Sequence, residues 1–181
     1  SFANTTGIET VPLDGSKLFS GVTITEENGF TTLQFEPQDS ATLWGYVVEY
    51  NAGETSLYCK YSPVLGSEDA PLKGVVVAVD AGHGGTDIGT AGIANPTGVT
   101  EKDVTIATAT ALEKRLQTLG ATVLMLRDAE SNPTINERMR SAQEAKADFF
   151  ISLHCNSISY NMDGTGAGGV EIYYYEPGAQ F

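Results

Sequence analysis

The alternation of strand-like and helix-like segments between Val75 and His154 is the feature that most constrains the fold of this chain. The run VVVAVD (75–80) is continuously apolar and rich in β-branched residues, which is typical of a strand buried on both faces of a parallel sheet. The segments ATVLMLR (121–127) and DFFISLH (148–154) predict two further strands, each preceded by a helical segment. This order predicts an α/β fold, with a mostly parallel sheet and helices on both of its faces.

Both helical segments carry recognisable start signals. Thr100 stands three residues before Asp103, in the manner of a capping box, and Gly120 ends the first helix. The second helix opens at the Asn132-Pro133 pair. Spacing along each helix predicts an inward apolar stripe. These stripes comprise Val104, Ala107, Ala111, Leu112, Leu116 and Leu119 in the first helix, and Ile135, Met139 and Ala142 in the second.

Residues 1–61 have the pattern of a small all-β module. The stretch GVTITEENGFTTLQF holds two alternating runs joined at Asn28-Gly29, a dipeptide that favours a tight hairpin turn. The runs TLWGYVVEY and TSLYCKY predict a second strand pair. A linker rich in proline, glycine and acids follows at 62–73, and the α/β domain is expected over 74–181. Within that domain VEIYYY (170–175) predicts a fourth strand.

Composition limits the class of partner. A hydrophobic content of 41% with 18% charged residues indicates a globular chain. The formal net charge of −13 argues against nucleic acid and against an anionic membrane surface. No apolar run approaches the length of a membrane span. Cys59 and Cys155 have no CxxC spacing and are expected to be free thiols, with a disulfide between them as the less favoured alternative.

Three potential metal ligands are expected to converge on one edge of the predicted sheet. His83 lies just past the first strand, His154 ends the third, and Glu101 opens the first helix. The carboxyl ends of parallel strands meet at a single edge, where ligands bind. Two imidazoles and one carboxylate, with a fourth position open, form a ligand set of hydrolytic zinc enzymes. Asp80 is expected to orient one of the imidazoles.

The same residues also have ordinary structural interpretations. A histidine can be a simple surface or hydrogen-bonded residue, and Glu101 can be an acid favoured by the helix dipole. The stretch GHGGTDIGTAG (82–92) can also be interpreted as a phosphate-binding loop ahead of a helix. It lacks both the GxGxxG spacing and a GK[ST] ending, so the metal site is the preferred hypothesis.

The blocks that carry these residues resemble the zinc-dependent N-acetylmuramoyl-L-alanine amidases of bacterial cell-wall remodelling, the amidase_3 type. The resemblance covers about residues 74–175 and rests on DAGHGG around His83, TEKD around Glu101, SLHCN around His154, and GGVEIYYY. It implies Zn²⁺ held by these three side chains. It also implies hydrolysis of the amide bond between N-acetylmuramic acid and L-alanine in peptidoglycan, by a secreted autolysin acting extracellularly, in the cell wall or periplasm.

The resemblance implies supporting residues and also shows one departure. Arg127 and Arg138 match family positions and are expected to anchor ion pairs, and Asn156 to hydrogen-bond at the rim. Family members carry a downstream glutamate, in an E-[TL]-G-F block, that handles the proton of the attacking water. This sequence has no such block, so the C-terminal part of the family domain is absent and the catalytic residue stays unassigned. Acid–base assistance is worth about 10²–10⁴-fold, so we expect an inactive or weak chain.

Several alternatives remain open at this point. Glu171 is a candidate for the proton-handling role, although a structural role on a strand face is preferred. A non-catalytic wall-binding or regulatory module is the alternative function, and another zinc hydrolase, such as a carboxypeptidase, is a weaker one. Expected partners are peptidoglycan and a regulatory protein or the missing C-terminal segment. Trp44, Tyr46 and Tyr50 are candidates for stacking on sugars, although core positions are preferred.

Overall fold

The chain forms two compact units, Ser1–Ser62 with Glu171–Phe181, and Pro63–Val170. Within the part of the chain that is described, no helix is both long and apolar enough to cross a membrane. Cys59 and Cys155 are both free and half-buried, and burial raises the pKa of each thiol. The computed structural model describes residues 2–3, 7–8, 11–13, 15–39, 42–51, 53–92, 98–159, 161–163, 166 and 168–174.

The first unit is built from antiparallel strands. β1 (Phe2–Ala3), β2 (Phe19–Glu27) and β3 (Phe30–Pro37) form one sheet in the order β1-β3-β2, and β4 (Leu43–Asn51) pairs with β5 (Glu54–Tyr61). The predicted hairpin between β2 and β3 is confirmed. Its turn residues have φ angles of 53° and 79°, and asparagine and glycine tolerate such positive values best.

The second unit contains the predicted parallel sheet. Its strands are β6 (Val76–Ala81), β7 (Thr122–Met125) and β8 (Phe149–Leu153), in the order β7-β6-β8, and both pairings are parallel. The central position of β6 explains its uninterrupted apolar run, because a central strand covered on both faces has no side that faces water.

Helices cover both faces of this sheet, which confirms the predicted fold class. Helix α1 (Glu101–Thr118) packs through Ala109 onto the face that carries Val77 and Val79. Helix α2 (Ile135–Glu144) packs through Ala142 onto the opposite face. Side chains alternate along β6, so this one strand contributes residues to both faces of the sheet.

The inward face of α1 differs from the predicted stripe. Leu112 and Leu116 pack on the core as expected, but the other inward positions are Thr105, Ile106 and Ala109. Thr105 is buried because its hydroxyl donates a hydrogen bond of 2.8 Å to the carbonyl of Gly82. Because this hydrogen bond turns Thr105 inward, the buried face of α1 is rotated relative to the predicted apolar stripe. The residues that are exposed instead are Val104, Ala107 and Ala111.

The predictions for α2 were also partly wrong. Its N-cap is Thr134, which forms a capping box with Glu137, so the helix begins after the Asn132-Pro133 pair. Ala142 faces inward as expected, whereas Ile135 and Met139 are exposed. Arg138 occupies the other buried position of this helix, because acceptors at the end of β6 and on the loop after it satisfy its guanidinium.

The predicted fourth strand is not present in the described part of its segment. Residues 170–174 belong to no strand, and Tyr175 lies outside the described residues. Val170, Ile172 and Tyr174 are all more than 80% exposed. β-branched and aromatic residues favour a strand only where a neighbouring edge pairs with the backbone and a face becomes buried. The sequence pattern alone does not show whether such a neighbouring strand is present.

Candidate metal centre

His83 lies on a tight glycine-flanked loop that follows β6. Its backbone is in the left-handed region, with φ of 62°, which is uncommon for a residue other than glycine. The conformation is held from outside, because Arg138 Nη2 donates a hydrogen bond of 2.9 Å to the His83 carbonyl. The loop therefore turns the imidazole of His83 back toward the start of α1.

Glu101 is the first residue of α1 and is only 3% exposed. Its Oε2 accepts a hydrogen bond from the backbone N–H of Thr90 at 2.9 Å, and its Oε1 accepts one from that of Cys155 at 2.7 Å. Burial by itself would raise the pKa of this carboxyl group. The two backbone donors and the nearby His83 outweigh burial and lower the pKa to about 2, so Glu101 is ionised at neutral pH.

The two imidazoles meet Glu101 from opposite sides. His83 Nε2 lies 3.1 Å from Oε2, and His154 Nδ1 lies 3.1 Å from Oε1. The two rings are 5.0 Å apart between centroids and nearly perpendicular. One ligand atom from each of the three residues lies within 4.8 Å of the others. The residues expected at the sheet edge are therefore together, while their role as metal ligands stays a prediction.

Two glycines leave the space that this arrangement needs. A Cβ atom on Gly82 would lie 2.4 Å from Cε1 of His154, so the imidazole lies directly against the Gly82 backbone. A Cβ atom on Gly89 would lie 2.6 Å from both Glu101 Oε2 and His83 Cδ2. Gly89 also has a φ of +65°. Any larger residue at either position would displace a candidate ligand.

Asp80 does not contact an imidazole, so its predicted role was wrong. It forms an ion pair of 2.5 Å with Arg138 Nη1, and its other carboxylate oxygen accepts a hydrogen bond from the Ser152 hydroxyl at 2.7 Å. The reason is the alternation along β6, which turns Asp80 toward the same face as Ala78, under α2. The ion-pair role expected for Arg138 is present.

Arg127 supports the same loop without the expected ion pair. Its Nε donates to the Ala81 carbonyl at 2.6 Å, and its Nη2 donates to the carbonyls of Gly82 and Lys102 at 3.2 and 2.9 Å. The partners found for it among the described residues are carbonyl and hydroxyl oxygens. Burial lowers the pKa of this guanidinium. Together Arg127 and Arg138 hold the carbonyls of residues 81–83, the segment that carries the imidazole of His83.

The sequence profile of the N-acetylmuramoyl-L-alanine amidase family matches residues 77–180, which is more than half of the chain and includes all three candidate ligands. The chain belongs to this family.

Named relatives agree with the family assignment. The "Probable cell wall amidase LytH" of Staphylococcus epidermidis is 36% identical over 106 residues, or 59% of this chain and 33% of that protein. LytH of Staphylococcus aureus is 32% identical over 108 residues, or 60% of this chain and 34% of that protein. The chain thus spans about a third of the length of these relatives.

One solved structure shows a partial overlap. The catalytic domain of CwlV, an N-acetylmuramoyl-L-alanine amidase from Bacillus (Paenibacillus) polymyxa var. colistinus, is 32% identical, with a TM-score of 0.45. The overlap covers 52% of this chain and 49% of that one. The fold assignment therefore rests on the sheet and helices of this chain itself.

Asp87 lies beside the candidate metal centre, and sequence reasoning missed it. Its Oδ2 lies 2.9 Å from His83 Nδ1, and its Oδ1 accepts a hydrogen bond from the backbone N–H of Gly89 at 3.1 Å. The hydrogen bond with His83 lowers the pKa of the Asp87 carboxyl group. The available signal was its position four residues after His83 in GHGGTDIG, but only the folded loop brings the two side chains together.

The remaining candidates are less closely defined. Asn156 is exposed, and its predicted role at the rim stays a prediction. Glu171 is exposed, and its carboxylate accepts a hydrogen bond from the Tyr173 hydroxyl at 2.8 Å. Its predicted position on a strand face was wrong, and its part in proton transfer is untested.

In the first unit Tyr46 and Tyr50 are exposed on one face of β4, against the expected core position, while Trp44 is half-buried.

Proposed function

We propose that this chain contributes the zinc-binding part of an amidase that hydrolyses the bond between N-acetylmuramic acid and L-alanine in peptidoglycan. The proposed ligands are His83, Glu101 and His154. One observation carries the proposal. An almost fully buried, ionised carboxylate has an imidazole nitrogen 3.1 Å from each of its two oxygens. Buried charges are costly unless they are paired or bind a metal.

The donor set fits zinc better than other common cations. Mg²⁺ and Ca²⁺ prefer sites made of oxygen ligands, whereas two imidazoles and one carboxylate are typical of catalytic zinc. Donor atoms bound tetrahedrally at about 2.0–2.2 Å are separated by roughly 3.4 Å. Here each imidazole nitrogen lies 3.1 Å from one oxygen of Glu101, and one ligand atom from each of the three residues lies within 4.8 Å of the others. When bound, zinc polarises the scissile carbonyl and lowers the pKa of a coordinated water to about 7.

The protein's own residues supply the rigidity that such chemistry needs. Glu101 offers a fixed negative charge, because Thr90 and Cys155 hold both of its oxygens through backbone hydrogen bonds. The buried guanidiniums of Arg127 and Arg138 hold the loop beneath His83. The side chain of His154 is 51% exposed, so substrate is expected to approach from its side.

The wider biological setting is part of the proposal. The names of the LytH relatives support action at the cell wall, hence extracellular or periplasmic, with peptidoglycan as substrate. We further propose residues 1–61 as an accessory module, 62–73 as a linker and 74–181 as the catalytic domain. The general base stays unassigned. A non-catalytic binding module is not favoured, because all three candidate ligands are in place.

Digestion of purified peptidoglycan, with products identified by mass spectrometry, tests the proposed reaction. A form extended at its C-terminus with a segment that carries the family's glutamate is compared with this chain of 181 residues. The longer form is expected to release stem peptides with a free L-alanine amino terminus. A Glu101→Gln variant of the longer form serves as the inactive control.

Two results would contradict the proposal. One is cleavage inside the glycan or inside the stem peptide, without release of free L-alanine termini. The other is full activity in the Glu101→Gln form. Release of stem peptides by the chain of 181 residues would instead show that its proton-handling residue lies within that chain, against the expectation from the sequence.

A further inference from the structure

We propose that Asp87 is a positioning residue that fixes the tautomer and the ring orientation of His83. In this proposal His83, once zinc is bound, carries its proton on Nδ1, and its Nε2 is the atom that binds the ion. The inference rests on the proposed zinc site and adds a residue that the ligand set does not contain. It is carried by the 2.9 Å contact between Asp87 Oδ2 and His83 Nδ1.

The direction of this hydrogen bond follows from the chemistry of the two groups. An aspartate ionised at neutral pH can only accept hydrogen bonds, so His83 Nδ1 has to donate. An imidazole that binds a metal is neutral and carries one proton, so donation from Nδ1 leaves the lone pair of Nε2 for zinc. That nitrogen lies 3.1 Å from Glu101 Oε2. The contact therefore directs the metal-binding lone pair of His83 toward the proposed centre.

Asp87 is itself held in a defined orientation. Gly84 and Asp87 exchange two backbone hydrogen bonds, of 3.0 and 2.8 Å, which close the small loop between them. The second carboxylate oxygen accepts from the Gly89 N–H, so the carboxylate is fixed on both sides. Lys102 Nζ donates to the Gly85 carbonyl at 2.7 Å and ties this loop to α1. A carboxylate held in this way can orient its partner ring.

His154 is oriented in a different manner. Its Nδ1 faces Glu101, and its ring lies against the backbone of Gly82. Among the described residues no carboxylate contacts its Nε2, so packing takes the place of an outer hydrogen bond. The two imidazoles are therefore not equivalent, and only His83 depends on an outer acid. Outer hydrogen-bond partners of this kind typically change metal affinity by about 10–100-fold.

The substitution Asp87→Asn tests this role with little change in shape. The asparagine keeps an oxygen that can accept from Gly89, while its amide N–H₂ then faces His83 Nδ1. Because an amide nitrogen only donates, Nδ1 must become the acceptor and the imidazole proton moves to Nε2. We expect zinc affinity to fall by about 10–100-fold. Glu144→Gln, which makes the same change of charge at an exposed position of α2, should leave zinc affinity unchanged.

Two measurements give independent answers. Competition with a chelator gives the zinc affinity of the wild type and of both variants. Long-range ¹H–¹⁵N NMR of the zinc-loaded wild type reports directly which nitrogen of His83 carries the proton, and it needs no variant to fold. We expect the Nδ1–H form in the zinc-loaded wild type and the Nε2–H form in metal-free Asp87→Asn, where Nε2 can donate to Glu101.

The outcomes separate this inference from the proposed function. If the wild type binds zinc and Asp87→Asn binds it equally tightly, the positioning role is wrong while the zinc site stands. An Nε2–H tautomer in the wild type would also overturn the positioning role. If the wild type fails to bind zinc, the proposed zinc site and the positioning role that rests on it are both wrong. If Asp87→Asn does not fold, the wild-type tautomer again decides.

Discussion

Replacement of Arg138 by methionine should destabilise the α/β unit more than any surface change in the same helix. Arg138 is 6% exposed, and it pairs with Asp80 while donating to the carbonyls of Ala81 and His83. Methionine has similar length but no charge, so the substitution leaves the Asp80 carboxylate without its cation. Removal of one partner from a buried ion pair costs about 3–5 kcal/mol.

The size of this loss can be measured by urea unfolding. With a slope of about 1.5 kcal/mol/M, a loss of about 3–5 kcal/mol lowers the midpoint by roughly 2–3 M. Circular dichroism at 222 nm is the appropriate signal, because both helices of the described residues lie in the unit that contains Arg138. Fluorescence of Trp44 would instead report on the other unit.

Two controls make the test specific. Arg140→Met removes an exposed arginine from the same helix and should change stability by no more than about 0.5 kcal/mol. Asp80→Asn combined with Arg138→Met removes both charges and should restore at least half of the loss. A loss below about 1 kcal/mol in Arg138→Met, or no recovery in the double variant, would refute the account of a buried and coupled pair.

Two further predictions concern the packing of the centre and the cap of α2. Gly82→Ala should weaken zinc binding by at least about tenfold, because its Cβ displaces the imidazole of His154. Gly92→Ala should leave zinc binding unchanged, because the space around its Cβ is open. Calorimetric titration with zinc gives both affinities. Hydrogen bonds from the Thr134 N–H and hydroxyl lower the pKa of Glu137 below its ordinary value of 4.5, so its contribution to stability is complete above pH 4.5 and is lost as the pH falls further. Melting temperatures between pH 7 and pH 3 should therefore fall less steeply in Glu137→Gln, and equal slopes would contradict this reasoning.

The order of elements and the edge that carries the centre could be predicted from the sequence. The continuous apolar run of β6 indicates a central strand, and the capping signal at Thr100 fixes the start of α1 to within a residue. These are local patterns, and parallel topology then brings strand ends to one edge without further information. His83, Glu101 and His154 were found for this reason.

The parts that could not be predicted depend on contacts between distant residues. Thr105 and Arg138 face inward because carbonyls of the loop after β6 accept their hydrogen bonds, which no hydrophobic periodicity reveals. Asp80 and Asp87 are both acids close to His83 in sequence. Strand alternation turns the first toward α2, whereas a closed loop turns the second toward the imidazole.

The most direct test of the central claim is the zinc content of the purified chain after dialysis, measured by inductively coupled plasma mass spectrometry. The wild type should retain about one zinc ion per chain, and His83→Ala, Glu101→Ala and His154→Ala should each lose most of it while keeping the helical signal at 222 nm. A wild type without zinc, or three variants that retain it at the wild-type level, would contradict the account.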